Sequence, residues 1–314
     1  MDEQEEEVEK LGPNPELPRA IKKAAENGKL VLFVGAGASM LLGMPSWKQL
    51  ADSVLKNLRS KGLINYAELN QLKILDPKKQ LSIAYTLADK NIDLDLPHYL
   101  TRTKDSKIYS YLNAIGSVYV TTNYDHELFP ESREISSNQL NQTVERVSDP
   151  NDFNTAILKT PGTVIHLHGD IGTPGKMIVT TRDYLSHYDH ENVISFLGKL
   201  FDEYTVLFVG YGLEEAEILE HILRRGKARK KDNQNDELKR YTIQGFFESE
   251  QPLYEKLVTY YKKSFGVRLI GFSKDLEDYG QLEKIIKEWS EIIDVRPPPA
   301  TDDIADIDRI LGDE

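Results

Sequence analysis

Four short segments hold residues whose types could do chemistry. His168 is followed by Gly169 and Asp170 after an apolar run, and Asn123 and Asp125 stand in Thr122-Asn123-Tyr124-Asp125 after another. Gly35-Ala36-Gly37-Ala38-Ser39 and Gly210-Tyr211-Gly212 follow two more. A histidine changes charge near neutral pH and suits the work of a general base. Asparagine carries a donor and an acceptor together, so Asn123 could orient a hydroxyl and a water at once. A Gly-x-Gly turn between a buried strand and a helix lets backbone amides approach a pyrophosphate, with the positive end of the helix behind them. Gly35 and Gly37 therefore read as a dinucleotide-type phosphate site. The fingerprint is incomplete, because Met40 takes the place of a third glycine, Gly43 comes late, and Asp52 falls inside a predicted helix; an ordinary NAD dehydrogenase is disfavoured. His166 projects to the same strand face as His168, so with Asp170 the segment also offers a metal-site pattern. Ile171 removes one ligand from that pattern, and His166, inside an apolar run, reads as a buried hydrogen-bonded residue.

The elements that must position these residues are legible in the apolar pattern. Leu30 to Val34 is too short for a buried helix and rich in β-branched and aromatic types, so it predicts a strand covered on both faces. Similar runs at 117–121, 163–167, 205–209, 241–247 and 267–272 predict five more. Helical spacing recurs at 17–27, 47–58, 67–75, 80–89, 107–114, 214–223, 253–263 and 279–293, with Pro77 and Pro97 as punctuation. Strands separated by helices mean an α/β fold, a doubly wound, Rossmann-like parallel sheet. Residues 1–295 read as one domain with a helical insert or small subdomain at about 62–112 and a polar loop or lid at about 130–160. Residues 1–14 are expected to fray, and 296–314 form an acidic tail behind Pro297-Pro298-Pro299. In such a sheet ligands bind at the carboxyl ends of strands, so the four segments define one site.

Composition narrows the class. The 314 residues are 39% hydrophobic and 29% charged, enough for a sizeable core. An excess of 51 acidic over 39 basic residues gives a net charge of −12, which disfavours direct nucleic-acid binding. The basic cluster Arg224-Arg225-Gly226-Lys227-Ala228-Arg229-Lys230-Lys231 reads as a solvated loop at a helix end. There is no cysteine, which excludes disulfides, thiolate chemistry and cysteine-based zinc sites. No apolar run approaches the roughly 20 residues of a membrane span, and the acidic N-terminus is unlike a signal peptide, so the expected place is the cytoplasm.

In their order and at their strand ends, Gly35–Ser39, Thr122–Asp125, His168-Gly169 and Gly210–Gly212 resemble the NAD-binding and catalytic motifs of the sirtuin family, over roughly residues 28–215. Sirtuin deacylases carry a four-cysteine zinc ribbon and an Ile-Pro-Asp-Phe-Arg type segment after the glycine turn. This chain has no cysteine and reads Gly43-Met44-Pro45-Ser46-Trp47. It looks closer to the zinc-free sirtuin-like proteins of bacterial antiphage defence, which hydrolyse NAD. The resemblance implies NAD as substrate, no zinc, and cleavage of the nicotinamide–ribose bond, a step that needs positioning, a base and a water. It implies His168 as general base and Asn123 as the group orienting ribose and water. Asp125 would take the nicotinamide carboxamide, Ser39 with the amides of Ala36, Gly37 and Ala38 the pyrophosphate, and Gly210 and Gly212 the adenosine ribose, with Thr122 and Tyr211 also among the NAD-binding residues. Thr180-Thr181-Arg182-Asp183-Tyr184 resembles a recurrent segment of the family without a role that its residues reveal.

Other readings stand beside this one. Asn123 and Asp125 are also ordinary turn residues, and His168 fits a structural histidine. His98, His126, His187, His190 and His221 read as structural or surface residues. The pocket could serve a non-catalytic NAD or ADP-ribose sensor that switches a partner. A defence NADase has to be held inactive until triggered, which implies a homo-oligomer or a regulatory partner protein. The insert, the 130–160 loop and the tail are the expected contact surfaces.

Overall fold

A computed structural model describes residues 10–88, 94–130, 145–213, 215, 217–222 and 238–297. The basic run at 224–231, residues 131–144 of the expected loop or lid, the tail beyond 297 and residues 1–9 lie outside the described residues.

Seven strands, β1 (Leu30–Val34), β2 (Val118–Thr121), β3 (Arg146–Val147), β4 (Val164–His166), β5 (Thr205–Val209), β6 (Arg240–Phe246) and β7 (Val267–Ser273), form one sheet in the order β3-β4-β2-β1-β5-β6-β7. Every pairing is parallel. The expected α/β doubly wound sheet is the observed one. β3 is an addition, inside the stretch read as a loop. Two residues are too few to show alternation in a sequence, and this strand is marked instead by burial of Val147 and the bond from Val164 N to Glu145 O at 2.9 Å.

Helices cover both faces because the central strands alternate between two cores. Leu30, Leu32 and Val34 face α1 (Arg19–Glu26), α7 (Ile108–Ile115) and α11 (Gly280–Ile292), numbering helices in chain order. Val31 and Phe33 face α9 (Glu191–Glu203) and α10 (Gln251–Phe265). A strand buried on both sides has no polar face, which is why β1 reads as an unbroken apolar run. A third core joins α3 (Trp47–Ser60), α4 (Tyr66–Leu72), α5 (Pro77–Leu87) and α6 (Leu96–Tyr99) to Tyr124, Met177 and Val179 beyond the strand ends. α7, expected in the insert, packs in the first core instead. Pro77 is the first residue of α5 with Asp76 as its cap, where a proline's missing N–H is harmless, so it begins a helix rather than breaking one. α8 (Thr181–Tyr188) and α9 occupy a stretch to which the apolar pattern had assigned no element. Fraying of 1–14 is overturned for residues 10–14: Ser273 N donates to Gly12 O at 2.8 Å, and Leu11 packs against the second core. Among the described residues, no helix is long and apolar enough to cross a membrane.

Register sets the level of the strand ends. Val34 pairs with both Thr121 and Val209, and Thr121 pairs with His166, so β1, β2, β4 and β5 finish side by side. From β1 the chain moves to β2 on one side, and from β5 to β6 on the other. The crevice between β1 and β5 is therefore the topological switch point. The two loops leaving it touch through their backbones, with Gly37 N donating to Gly210 O at 2.8 Å. A Cβ on Gly35 would lie 2.7 Å from Gly210 O, and one on Gly210, whose φ is +63°, would lie 2.5 Å from Ala38 N.

Gly210→Ala should accordingly destabilise the fold by several times more than Gly62→Ala. Gly62 also has positive φ (+74°) but nothing within 4 Å of an added Cβ. Thermal unfolding should show a loss of about 1 kcal/mol at Gly62, the strain alone. Equal losses at the two positions would mean that the loop contact contributes nothing.

Candidate active site

Asn123 is the centre of a buried network at the end of β2. Its Nδ2 donates toward Gly35 O (3.0 Å), Ser39 Oγ (2.9 Å) and Tyr109 Oη (3.2 Å), and its backbone N donates to Thr121 Oγ1 at 3.0 Å. Ser39 Oγ donates to Asp125 Oδ2 at 2.7 Å, so the 2.8 Å contact between Ser39 Oγ and Tyr109 Oη has the tyrosine as donor. Glu127 N closes the set on Asp125 Oδ1 at 3.1 Å. Burial, and next the charge of Asp125, push the Tyr109 phenol well above its ordinary range, which keeps it a donor.

His168 sits in a second cluster. β4 ends at His166, and Gly169, with φ of +79°, turns the chain so tightly that a Cβ would lie 2.8 Å from Lys176 O. The His168 ring, 1% exposed, has Nε2 2.8 Å from Tyr188 Oη and Nδ1 3.4 Å from Tyr184 Oη. Both tyrosines come from α8, whose start is fixed by a capping box between Thr180 and Asp183. This supplies the role missing from the 180–184 segment: it presents Tyr184 edge-on to the histidine, ring centres 4.9 Å apart. Glu215 Oε2 lies 3.7 Å from His168 Nε2. Lys78 of α5 stands 3.7 Å above the Tyr184 ring and 2.7 Å from Glu217 Oε1.

Burial dominates the electrostatics here. It holds the His168 imidazole well below its usual range, helped by His187 and Lys78, so the ring is neutral at pH 7. His187, also buried and next to His190, is lowered to about 4. The Glu215 carboxyl is raised to about 7 by burial and then by Glu217, against the opposing pull of Tyr211, Lys78 and Tyr188.

His166 joins the two clusters: its Nδ1 lies 3.0 Å from Asn123 O, and His168 follows two residues later. The two histidines thus go to different partners. His126 Nε2 pairs with Asp170 Oδ1 at 3.0 Å, and Gly172 N donates to the same oxygen at 2.7 Å. Among the described residues, no three His, Asp or Glu side chains stand together as metal ligands.

Of the residues singled out in the sequence, Gly35, Ser39, Asn123 and Asp125 meet in one network, and His168 lies in the other. The amides of Gly37 and Ala38 are engaged within the loops, by Gly210 O and Gly35 O. Ala36 and Gly212 are exposed and Thr122 is half-buried at the same edge. The Tyr211 ring fills the second core against Phe33 (4.9 Å) and Phe208 (5.6 Å) rather than facing solvent. Tyr109, Tyr188 and Glu215 were not foreseen. Each lies on an amphipathic or polar stretch with nothing local to distinguish it, and only folding brings it to the site.

Residues 117–270 match the family model described as the SIR2-like domain. Over 290 residues the chain is 27% identical to Defense-associated sirtuin 2 of Bacillus subtilis, an alignment covering 89% of this chain and 26% of that protein. Over 287 residues it is 24% identical to NAD(+) hydrolase ThsA of Enterococcus faecium, covering 86% of this chain and 57% of the relative. The chain spans about a quarter of the length of the first relative and just over half of the second. The parallel sheet, the strand-end motifs and both relatives agree with this match: residues 117–270 of the chain are similar to the SIR2-like domain.

Proposed function

We propose that this chain hydrolyses NAD+ at the nicotinamide–ribose bond, giving nicotinamide and ADP-ribose, and that it serves antiphage defence by depleting NAD+. The observation that carries the reading is a histidine kept neutral by burial, one strand away from a buried asparagine amide, at the switch-point edge of a parallel sheet. The names of the two relatives, a defence-associated sirtuin and an NAD(+) hydrolase, point the same way.

In this reading the C1′–N1 bond breaks and its electron pair goes to the pyridinium nitrogen, so nicotinamide leaves neutral. Water adds to C1′, and the proton it sheds goes to His168 and on to solvent. Nδ1, whose 3.4 Å contact with Tyr184 is the looser of the two, is the nitrogen that a ribose hydroxyl or water reaches. Asn123 orients the ribose and the water, Asp125 holds the carboxamide, and Ser39 with the Ala36 amide faces the pyrophosphate. Gly210 and Gly212 admit the adenosine ribose. Because the hydroxyls and amides of both clusters are already bonded to one another, substrate entry has to exchange those bonds. That fits an enzyme controlled by self-assembly or by a regulatory partner.

Purified protein incubated with NAD+ should release nicotinamide and ADP-ribose on chromatography, and His168→Ala and Asn123→Ala should each lower kcat by roughly 100-fold or more. If wild type is silent while calorimetry still detects NAD+ binding, the chain is a sensor of NAD or ADP-ribose or an enzyme that awaits its partner.

Asp125→Asn should act mainly on binding. Loss of one charge-assisted contact to the carboxamide should raise KM about tenfold and leave kcat within a fewfold of wild type. A fall in kcat at unchanged KM would assign Asp125 to the chemical step instead.

A further inference from the structure

A buried imidazole that has to accept a proton needs something to receive the positive charge it acquires. In a water-poor site this is the work of a carboxylate on the opposite ring nitrogen, which fixes the tautomer and stabilises the imidazolium. Asp125 is engaged by Ser39 and Glu127, and Asp170 by His126 and Gly172. The carboxyl that faces His168 is Glu215. Its Oε2 is shielded from water, has no hydrogen-bond partner at bonding distance among the described residues, and lies 3.7 Å from His168 Nε2. The same ring nitrogen is 2.8 Å from Tyr188 Oη, so the imidazole's Nε2 side is lined by groups of the protein and its Nδ1 side by the looser contact with Tyr184.

We propose that Glu215 is the positioning residue of His168: with Tyr188 Oη accepting the hydrogen bond from Nε2–H, the carboxylate beside them favours that tautomer, leaves the Nδ1 lone pair free for substrate, and stabilises the imidazolium formed when Nδ1 takes the proton. No atom of Glu215 reacts. The proton that arrives at Nδ1 comes from the ribose hydroxyl or the water, and the Nε2 proton stays on the ring toward Tyr188 Oη, with the carboxylate 3.7 Å from Nε2 as counter-charge. The assignment deepens the hydrolase reading and rests on it for its kinetic consequence alone.

The groups around the pair set its pH response. Lys78 of α5 favours the carboxylate and disfavours the imidazolium, and Glu217 raises the carboxyl. The hydroxyls of Tyr188 and Tyr211 favour the carboxylate, and His187 of α8 opposes the imidazolium. Tyr184 and Tyr124 stay neutral, their phenols pushed up by burial first and by other charges after it. The net result is a Glu215 carboxyl that ionises at about 7. Below that pH the carboxyl is protonated and gives the imidazolium no counter-charge. Above it the carboxylate is present and His168 becomes the stronger base, so the reaction should speed up as pH rises through neutrality.

The test follows the 15N resonances of the His168 ring between pH 5 and 9 in histidine-labelled protein, assigned with His168→Ala, in wild type, Glu215→Gln and Glu215→Asp. Wild type should show an inflection near pH 7 as the carboxyl ionises. Glu215→Gln should lose it, and Glu215→Asp should restore it, at a shifted midpoint. In NAD+ cleavage, Glu215→Gln should lose the rise of kcat through pH 7 and fall roughly 100-fold in kcat, with KM within about twofold. His168 titrations that coincide in wild type and Glu215→Gln, both folded by circular dichroism, overturn the assignment even if NAD+ is cleaved. A titration that moves with residue 215 supports it even if no variant cleaves NAD+, an outcome that counts against unassisted hydrolysis alone.

Discussion

Where the chain reverses its course across the sheet, two backbones touch without a side chain between them, and the rest of the site hangs on that touch. Gly37 reaches Gly210 because neither loop carries a Cβ at the contact, and Gly35 lies against the start of the Tyr211 side chain for the same reason. The consequence runs outward through hydrogen bonds. With the loops closed, the Gly35 carbonyl accepts from Asn123, the Asn123 carbonyl meets His166, and His166 leads to His168. Glycines that a sequence reader assigns to a ligand's phosphates are thus occupied first in holding the protein to itself.

Burial supplies the second constraint. The candidate site lies where three cores meet: the two sheet faces and the helical insert, whose core extends to Tyr124, Met177 and Val179. Such a setting favours polar groups that pair, so Asn123, Ser39, Tyr109, Tyr188 and His168 are cross-bonded. It also reverses ordinary charge states. An imidazole stays neutral and a carboxyl holds its proton to about pH 7, and the balance between them rests on Lys78 and Glu217, one from the insert and one from the segment after β5.

Much of this was legible before folding, for a definite reason. β1 and β5 bury both faces, so Leu30–Val34 and Thr205–Val209 announce themselves as unbroken apolar runs ended by glycine, and their ends fix the level of the site. β3, with two residues, has no period to detect. Asn123 and His168 stood out because they follow strands. Tyr109 did not, since it meets Ser39 across 70 residues of chain, and a tyrosine on an amphipathic helix is far more often core than site. Glu215 was hidden for another reason. A glutamate in an acidic helix start reads as solvated, and nothing local tells that this one is desolvated against a histidine. Tyr211, assigned to ligand by its place between two glycines, turned into the aromatic core because Phe33 and Phe208 open a place for it there.

The Asn123 amide has two hydrogens and three oxygens within reach, those of Gly35, Ser39 and Tyr109. The two hydrogens are shared among the three, by a three-centre bond or by alternation. An oxygen brought by a ligand would enter an arrangement that is already oversubscribed, so it displaces a fractional bond instead of a whole one. Most buried donors are matched one to one; this one is divided among three acceptors.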